Sequence, residues 1–245
     1  MWGSLRRWAV EGLETVFPRA CVECAGPVEE RGGLRHVCAR CERLLVVVEP
    51  PRCPTCGHPY AGEAEVDRGC GHCETLQPVF GEGRTAILLR GPGRSLVHAL
   101  KYHHGLHVLE DVRTLVRRSP GYVDYVAGRV LIPVPLHPRK LRERGYNQSR
   151  AIADALAEVG GEGTVVKELL VRRLDTQSQT RFDRKRRQEN LKNAFAMAPG
   201  ATINPGLSHL LIDDVFTTGA TLNACAAVLR RAGAVKLDVA TFGHG

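Results

Sequence analysis

The run LLIDDVFTTGATL, residues 210–222, decides how the chain is read. An apolar stretch stops at two adjacent carboxylates, Asp213 and Asp214, and then gives way to small hydroxyl side chains around a glycine: Thr217, Thr218, Gly219, Ala220 and Thr221. Apolar residues, a turn and then the amphipathic stretch 221–231 predict strand, loop and helix in that order. The loop from Val215 to Ala220 offers backbone amides, two threonine hydroxyls and a glycine through which the main chain can approach a ligand. A helix N-terminus directly after it is an anion site, so a phosphate is expected over Thr217 to Thr221. The neighbouring acids can accept hydrogen bonds from vicinal hydroxyls. A phosphate beside a diol describes a ribose 5-phosphate.

Outward from this run, strand and helix patterns alternate. Residues 84–90 (RTAILLR) read as a strand, followed by helical stretches at 95–103 and 108–117. RVLIPVP (129–135) is an apolar strand ending in prolines, Asn147 to Val159 a helix, and TVVKELLV (164–171) a further strand. HLLI (209–212) leads into the two acids, and VKLDVATF (235–242) is the last strand. This order predicts an α/β fold with a mainly parallel sheet covered by helices on both faces. Ligands of such sheets bind beyond the carboxyl ends of the strands, where Asp213 and Asp214 are expected.

The N-terminal third has a different composition. Cys21, Cys24, Cys38 and Cys41 are spaced CxxC, thirteen residues, CxxC, and Cys53, Cys56, Cys70 and Cys73 repeat that spacing 32 residues later. Two pairs of thiolates can close a tetrahedral site with no position open to substrate, so two structural zinc ions are expected. Crossed pairing between the repeats remains an alternative on spacing alone. His58 and His72 beside the knuckles read as surface residues, and the ribbons as a folding device or docking surface. An amphipathic helix over residues 5–17 precedes them. The expected organisation is a helix and a double zinc ribbon over 1–80, then the α/β domain over 81–245.

The 245 residues are 43% hydrophobic and carry a formal charge of +8. Eight zinc-bound thiolates and two zinc ions would bring this to about +4, too mild an excess to define a nucleic-acid binder by composition. The N-terminal SLRRWAVEGLETVF is interrupted by charges and resembles no secretory signal. A cytoplasmic protein without membrane insertion is expected.

With these motifs in place, LLIDDVFTTGAT resembles the phosphoribosyl diphosphate (PRPP) motif of type I phosphoribosyltransferases. In that family the acidic pair binds the ribose 2′ and 3′ hydroxyls and the Thr-Thr-Gly loop binds the 5-phosphate. The paired CxxC ribbons, ALKYHHG (99–105), IPVPLHPRKLRERGYNQS (132–149), QTRFDRKRRQENLKNAF (179–195) and the PRPP motif together resemble the ComF family over nearly the whole chain. The resemblance implies a type I phosphoribosyltransferase-like domain with a pyrophosphate loop after strand 129–135. There Arg139, Lys140, Arg142 and Arg144, with Gly145 before the helix, would neutralise a diphosphate, and Mg²⁺ would be held mainly by the ligand's own oxygens.

The resemblance also implies a mobile flap over 172–192, where eight basic and three acidic residues fall; a solvated helix face is the competing reading. Lys101 and Tyr102 read as surface helix positions, with a place facing an acceptor as the alternative. Cys225 reads as core. Three functions follow. One is phosphoribosyl transfer to an unidentified acceptor. The second, implied by the family's link to natural transformation and DNA uptake, is handling of single-stranded DNA with a helicase-like competence ATPase as partner. The third is a non-catalytic nucleotide sensor.

Overall fold

The computed structural model describes residues 19–29, 33–60, 70–71, 73, 75–102, 105–173 and 193–245. The helix expected over 5–17, His72 and most of the charged stretch 172–192 lie outside them. A short helix, α1 (Ala39–Glu42), closes the first knuckle, and strand β1 (Gly83–Leu88) starts the sheet. Helices α2 (Pro92–Tyr102), α3 (Leu109–Arg118) and α4 (Tyr122–Val126) separate it from β2 (Val130–Pro133). Then follow α5 (Pro138–Arg144), α6 (Gln148–Gly160), β3 (Val165–Val166), β4 (Leu170–Arg172), β5 (Phe195–Met197), β6 (Ser208–Phe216), α7 (Ala220–Arg231) and β7 (Lys236–His244).

Five strands form one sheet in the order β1-β7-β6-β2-β3, and every pairing in it is parallel. The expected α/β class and helical covering are present. Leu131, Leu210, Ile212, Ala240 and Phe242 face a core with α2, α3, α4 and α6, while Val130, Ile132, Leu211, Leu237 and Val239 face α7. From β2 the chain moves to β3 on one side; β6 then enters on the other side of β2, so the winding reverses between β2 and β6. The crevice at their carboxyl ends is the switch point of the sheet, where this architecture places ligands.

Three boundaries depart from the expectation. The strand read at 209–212 continues through both acids to Phe216, because β7 runs alongside in register and supplies backbone partners as far as Phe216 opposite His244. Charge on a side chain does not interrupt a ladder made by the main chain. The strand read at 164–171 is divided: Val165 and Val166 join the main sheet, whereas Leu170 to Arg172 pair antiparallel with Phe195 to Met197 in a separate two-stranded sheet. Arg172, where the expected flap begins, ends β4. Finally, α5 forms within the loop expected after β2, opened by Pro138 at its first turn and closed by Gly145 in the left-handed region.

Each cysteine repeat gathers its own four sulfurs, all within 4.8 Å of one another: Cys21, Cys24, Cys38 and Cys41 in one group, Cys53, Cys56, Cys70 and Cys73 in the other. This settles the pairing as within repeats. A zinc with Zn–S bonds of about 2.3 Å requires tetrahedral sulfur separations of about 3.8 Å. The contacts of 3.8 Å for Cys24 with Cys38, 3.6 Å for Cys53 with Cys73 and 3.7 Å for Cys70 with Cys73 fit it. Burial pushes the Cys53 thiol up, but backbone amides around the knuckle outweigh it and pull that thiol below its ordinary value. Burial, and then the neighbouring sulfurs, push Cys56 and Cys73 of the same quartet up, so the quartet favours one thiolate and not four ahead of metal. His58 is no ligand; it is half-buried, with its ring centroid 4.8 Å from that of His244.

The two knuckles serve opposite faces of the sheet. The first shares the core of α2, α3, α4 and α6, and the buried carboxylate of Asp111 on α3 accepts the Arg35 and His36 amides at 2.6 and 2.8 Å. The second shares the core under α7, where the Thr85 hydroxyl of β1 donates to the Cys56 carbonyl at 3.3 Å. Between them, the chain lies antiparallel along the free edge of β1, with Val48 N–H donating to Ala86 and Leu88 N–H to Val46. Metal analysis should give two zinc ions per chain, and about one after Cys56→Ser together with Cys73→Ser. Chelation should lower the thermal midpoint sharply, since structural zinc in small ribbons contributes on the order of 10 kcal/mol. An unchanged midpoint in excess chelator, with zinc removed, would contradict a structural role.

Candidate functional site

The loops after β2 and β6 meet at the switch point. After Phe216 the chain turns through Thr217 and Thr218, both exposed, to Gly219, which caps α7 with φ of 70°. Glycine is required there twice. A side chain rarely adopts that φ, and a Cβ would stand 2.6 Å from Phe216 Cζ and 2.7 Å from Leu76 Cδ2. The Thr218 hydroxyl accepts the Ala220 amide at 3.4 Å. Thr221 lies in the first turn of α7, whose leading amides have no carbonyl one turn earlier to bond. The turn therefore sets two exposed hydroxyls and the leading amides of α7 at the positive end of a helix, over a floor of Phe216 and Leu76.

The loop after β2 is pinned by Asn147. Its side-chain amide donates to the Val134 carbonyl at 2.9 Å, and its oxygen caps α6 by accepting Ser149 N–H at 3.1 Å. This brings Ser149, in the first turn of α6, against β6, where its hydroxyl donates to Asp213 Oδ1 at 2.8 Å. The Asp214 amide donates to the same oxygen at 2.9 Å. Burial, and then the charge of Asp214 beside it, push the Asp213 carboxyl well above the usual carboxylate range, to about 8. Asp213 keeps partial exposure, so its remaining oxygen valence can be reached.

Asp214 is differently placed. It is 5% exposed, and Lys101 Nζ at the end of α2 lies 2.6 Å from its Oδ2. Lys101 is thus no surface position, contrary to the sequence expectation, whereas Tyr102 beside it is 64% exposed as expected. The helical period across 95–103 put Lys101 on no apolar stripe, which is why it read as solvent-facing; only the meeting of α2 with β6 reveals its partner. Ser149 was missed for the same reason. A diol donating to Asp214 must displace the Lys101 ammonium or share the carboxylate with it.

The expected cations divide. Arg144 is half-buried, with Nη1 donating to Gln148 Oε1 at 2.5 Å and its guanidinium 5.4 Å from the Tyr102 ring centre. It lies with Lys101 and Lys140 around a recess of about 150 Å³. Arg142 is exposed, and Arg139 is held by Glu143 at 2.8 Å along α5. Gly145 is exposed with φ of 82° at the end of α5. Cys225 is buried in α7 as expected, and burial raises its thiol far above the ordinary range. Among the described residues, only the two thiol quartets gather three or more metal-binding side chains. No helix among them is long and apolar enough to cross a membrane.

Comparison with known proteins agrees with this architecture. Residues 12–74 match the family model described as "Double zinc ribbon domain". The chain is 31% identical to the DNA utilization protein YhgH of Salmonella typhi over 230 residues, covering 91% of this chain and 95% of that protein. It is 27% identical to Competence protein F of Haemophilus influenzae over 231 residues, 91% of this chain and 96% of the relative. Competence protein ComFC of Bacillus subtilis is 24% identical over 203 residues, 80% of this chain and 79% of the relative. With near-complete coverage of such relatives and both ribbons in place, the chain belongs to the ComF family.

Proposed function

We propose that the crevice at the carboxyl ends of β2 and β6 binds PRPP or a related ribose 5-phosphate with Mg²⁺, and that the protein acts in the uptake or utilisation of DNA. The observation that carries the first part is the convergence of Asp213, Asp214 and the Gly219 turn at the switch point, with the N-termini of α6 and α7 beside them. The second part is drawn from the names of the relatives, competence proteins and DNA utilization proteins.

In this reading the turn over Thr217, Thr218, Gly219, Ala220 and Thr221 holds the 5-phosphate, and Asp213 and Asp214 accept the ribose hydroxyls. Arg144, with Arg142 on the same helix, faces the diphosphate, and Gly145, whose own amide is donated to the Leu141 carbonyl, turns the chain beside it. The described residues hold no oxygen-lined cage of three or more carboxylates, so they suit a magnesium carried in by the ligand's oxygens rather than one resident in the apoprotein. Transfer would break the bond from ribose C1 to the diphosphate oxygen and form one from C1 to an acceptor atom, which then releases a proton. The protein's part is to orient the sugar, to neutralise the departing diphosphate and to keep water from C1. A second reading, binding without turnover, is favoured by the Lys101–Asp214 pair, with which a diol must compete for one of its two acceptors. Release of pyrophosphate from PRPP over many turnovers, abolished by Asp214→Asn, would separate transfer from binding alone.

Calorimetric titration with PRPP and Mg²⁺ should show binding that Asp213→Asn and Asp214→Asn each weaken by more than tenfold. Wild-type protein that takes up no PRPP would end the proposal. Gly219→Ala should weaken it by at least tenfold as well, because a left-handed alanine costs about 1–2 kcal/mol before any clash with Phe216 is counted. Its zinc content should be unchanged.

The raised Asp213 pKa sets a pH dependence. A diol donates best to an ionised carboxylate, so affinity should increase as pH rises from about 6 through about 8, with a proton released on binding. Stability runs the other way. The folded protein keeps the Asp213 proton at a pH where the unfolded chain, with a pKa of about 4, has lost it, so this group's contribution to stability falls between those values as pH rises. Asp213→Asn should raise the thermal midpoint at neutral pH while removing the affinity slope above pH 7. A slope that persists in that variant would assign it to another group.

A further inference from the structure

Beside the sugar-phosphate crevice, and sharing Lys101 and Arg144 with it, lies an exposed aromatic ring that the reading above does not use. Tyr102 is the last residue of α2, and its ring leaves the helix into solvent. It is not free to wander. The His98 ring one turn earlier packs against it with centroids 4.7 Å apart and planes tilted by 40°, and the Arg144 guanidinium sits 5.4 Å from its centre. These contacts hold an aromatic ring in the open. The recess of about 150 Å³ next to it is lined by Lys101, Tyr102, Lys140, Glu143 and Arg144, three cations against one acid. Lys101 forms its wall towards Asp214, so the recess and the crevice adjoin.

We infer that this recess is a nucleotide-binding site, in which the Tyr102 ring stacks on a planar base while Lys101, Lys140 and Arg144 attract the attached phosphate. An inorganic anion would need the cations but not the ring. An apolar ligand would gain from the ring but not from three ammonium or guanidinium groups. A base joined to a phosphate uses both, and Glu143 can accept from an exocyclic amine on the base. The ligand comes either as a free nucleotide or as one unit of a single strand, and the chemistry at the recess is the same. The inference rests on the sugar-phosphate reading for the cations the two sites share, Lys101 and Arg144, whereas Tyr102 has no part in that cradle.

The test uses the full chain with both zinc ions bound. A labelled oligodeoxycytidylate of about twelve residues, followed by fluorescence anisotropy, supplies the strand, and deoxycytidine monophosphate, followed by calorimetry, the free nucleotide, both carrying the exocyclic amine. Tyr102→Ala should weaken binding about tenfold, and Tyr102→Trp should retain or improve it, because stacking asks for a face and not for a hydroxyl. Lys140→Ala should weaken binding and flatten its salt dependence by roughly 0.7 in the logarithmic slope. Binding to Tyr102→Ala within twofold of wild type, or equal losses in Tyr102→Ala and Tyr102→Trp, would overturn the inference. Response to the monophosphate identifies a free nucleotide as the source, and response to the strand alone identifies single-stranded nucleic acid. PRPP titrated into Tyr102→Ala should bind as to wild type. If PRPP binds neither protein while strand binding still falls in Tyr102→Ala, the sugar-phosphate reading fails and the nucleotide site stands.

Discussion

Two neighbouring carboxylates at the end of a buried strand repel each other and lose hydration together, and the fold around β6 is arranged to tolerate them. Each acid has its own partner. Asp213 receives the Ser149 hydroxyl from the start of α6, and Asp214 the Lys101 ammonium from the end of α2. Those two helix ends must therefore arrive at the same edge of the sheet, and the order β1-β7-β6-β2-β3 brings them there. The arrangement also leaves the acids unequal: one is held by a neutral donor with its proton retained to higher pH, the other by a cation. Under the proposed reading, ribose hydroxyls would relieve that strain by adding donors to Asp213 and by sharing Asp214 with Lys101.

The metal knuckles reach this edge by packing. Leu76, whose amide donates to the carbonyl of the zinc ligand Cys73, lies where a Cβ on Gly219 would clash. Phe216 stacks on His244, which in turn meets His58 beside the second knuckle. On α7, Asn223 accepts the Val79 amide and donates to the Gln77 carbonyl, tying the helix that begins after the Gly219 turn to the chain leaving that knuckle. Metal in the second quartet thus stiffens the floor beneath the turn without approaching a ligand. The first quartet lies on the opposite face, joined to α3 through Asp111, which is buried at 1% exposure yet satisfied by two amides.

Much of this was legible in the residues because the signals were local. CxxC spacing determined the ligands, and apolar runs bounded by prolines and glycines marked β1, β2, β6 and β7 to within a few residues. The acidic pair followed by TTG marked the crevice. What was not legible depended on partners distant in sequence. Nothing in 209–216 says that β7 will carry the ladder past the acids, and nothing in ALKYHHG says that Lys101 will meet a residue more than a hundred positions later. The division of 164–171 between two sheets likewise depends on Phe195 to Met197 arriving as a partner for Leu170 to Arg172. Helix α5 escaped notice because seven mostly charged residues show no apolar stripe, and Pro138 in its first turn with the caps His137 and Gly145 were its signals.

The strip of chain from Val46 to Val48, bonded along the outer side of β1, bears on how the polypeptide comes off the ribosome. Both knuckles are synthesised before any strand of the sheet, yet their resting places are Asp111, Thr85 and the rim of β1, all translated afterwards. Early metal capture would keep these segments folded while they wait, and once β1 emerges they cover its exposed backbone at once. A chain whose ribbons had not closed would instead leave that margin of β1 uncovered, a template for pairing with a neighbouring chain.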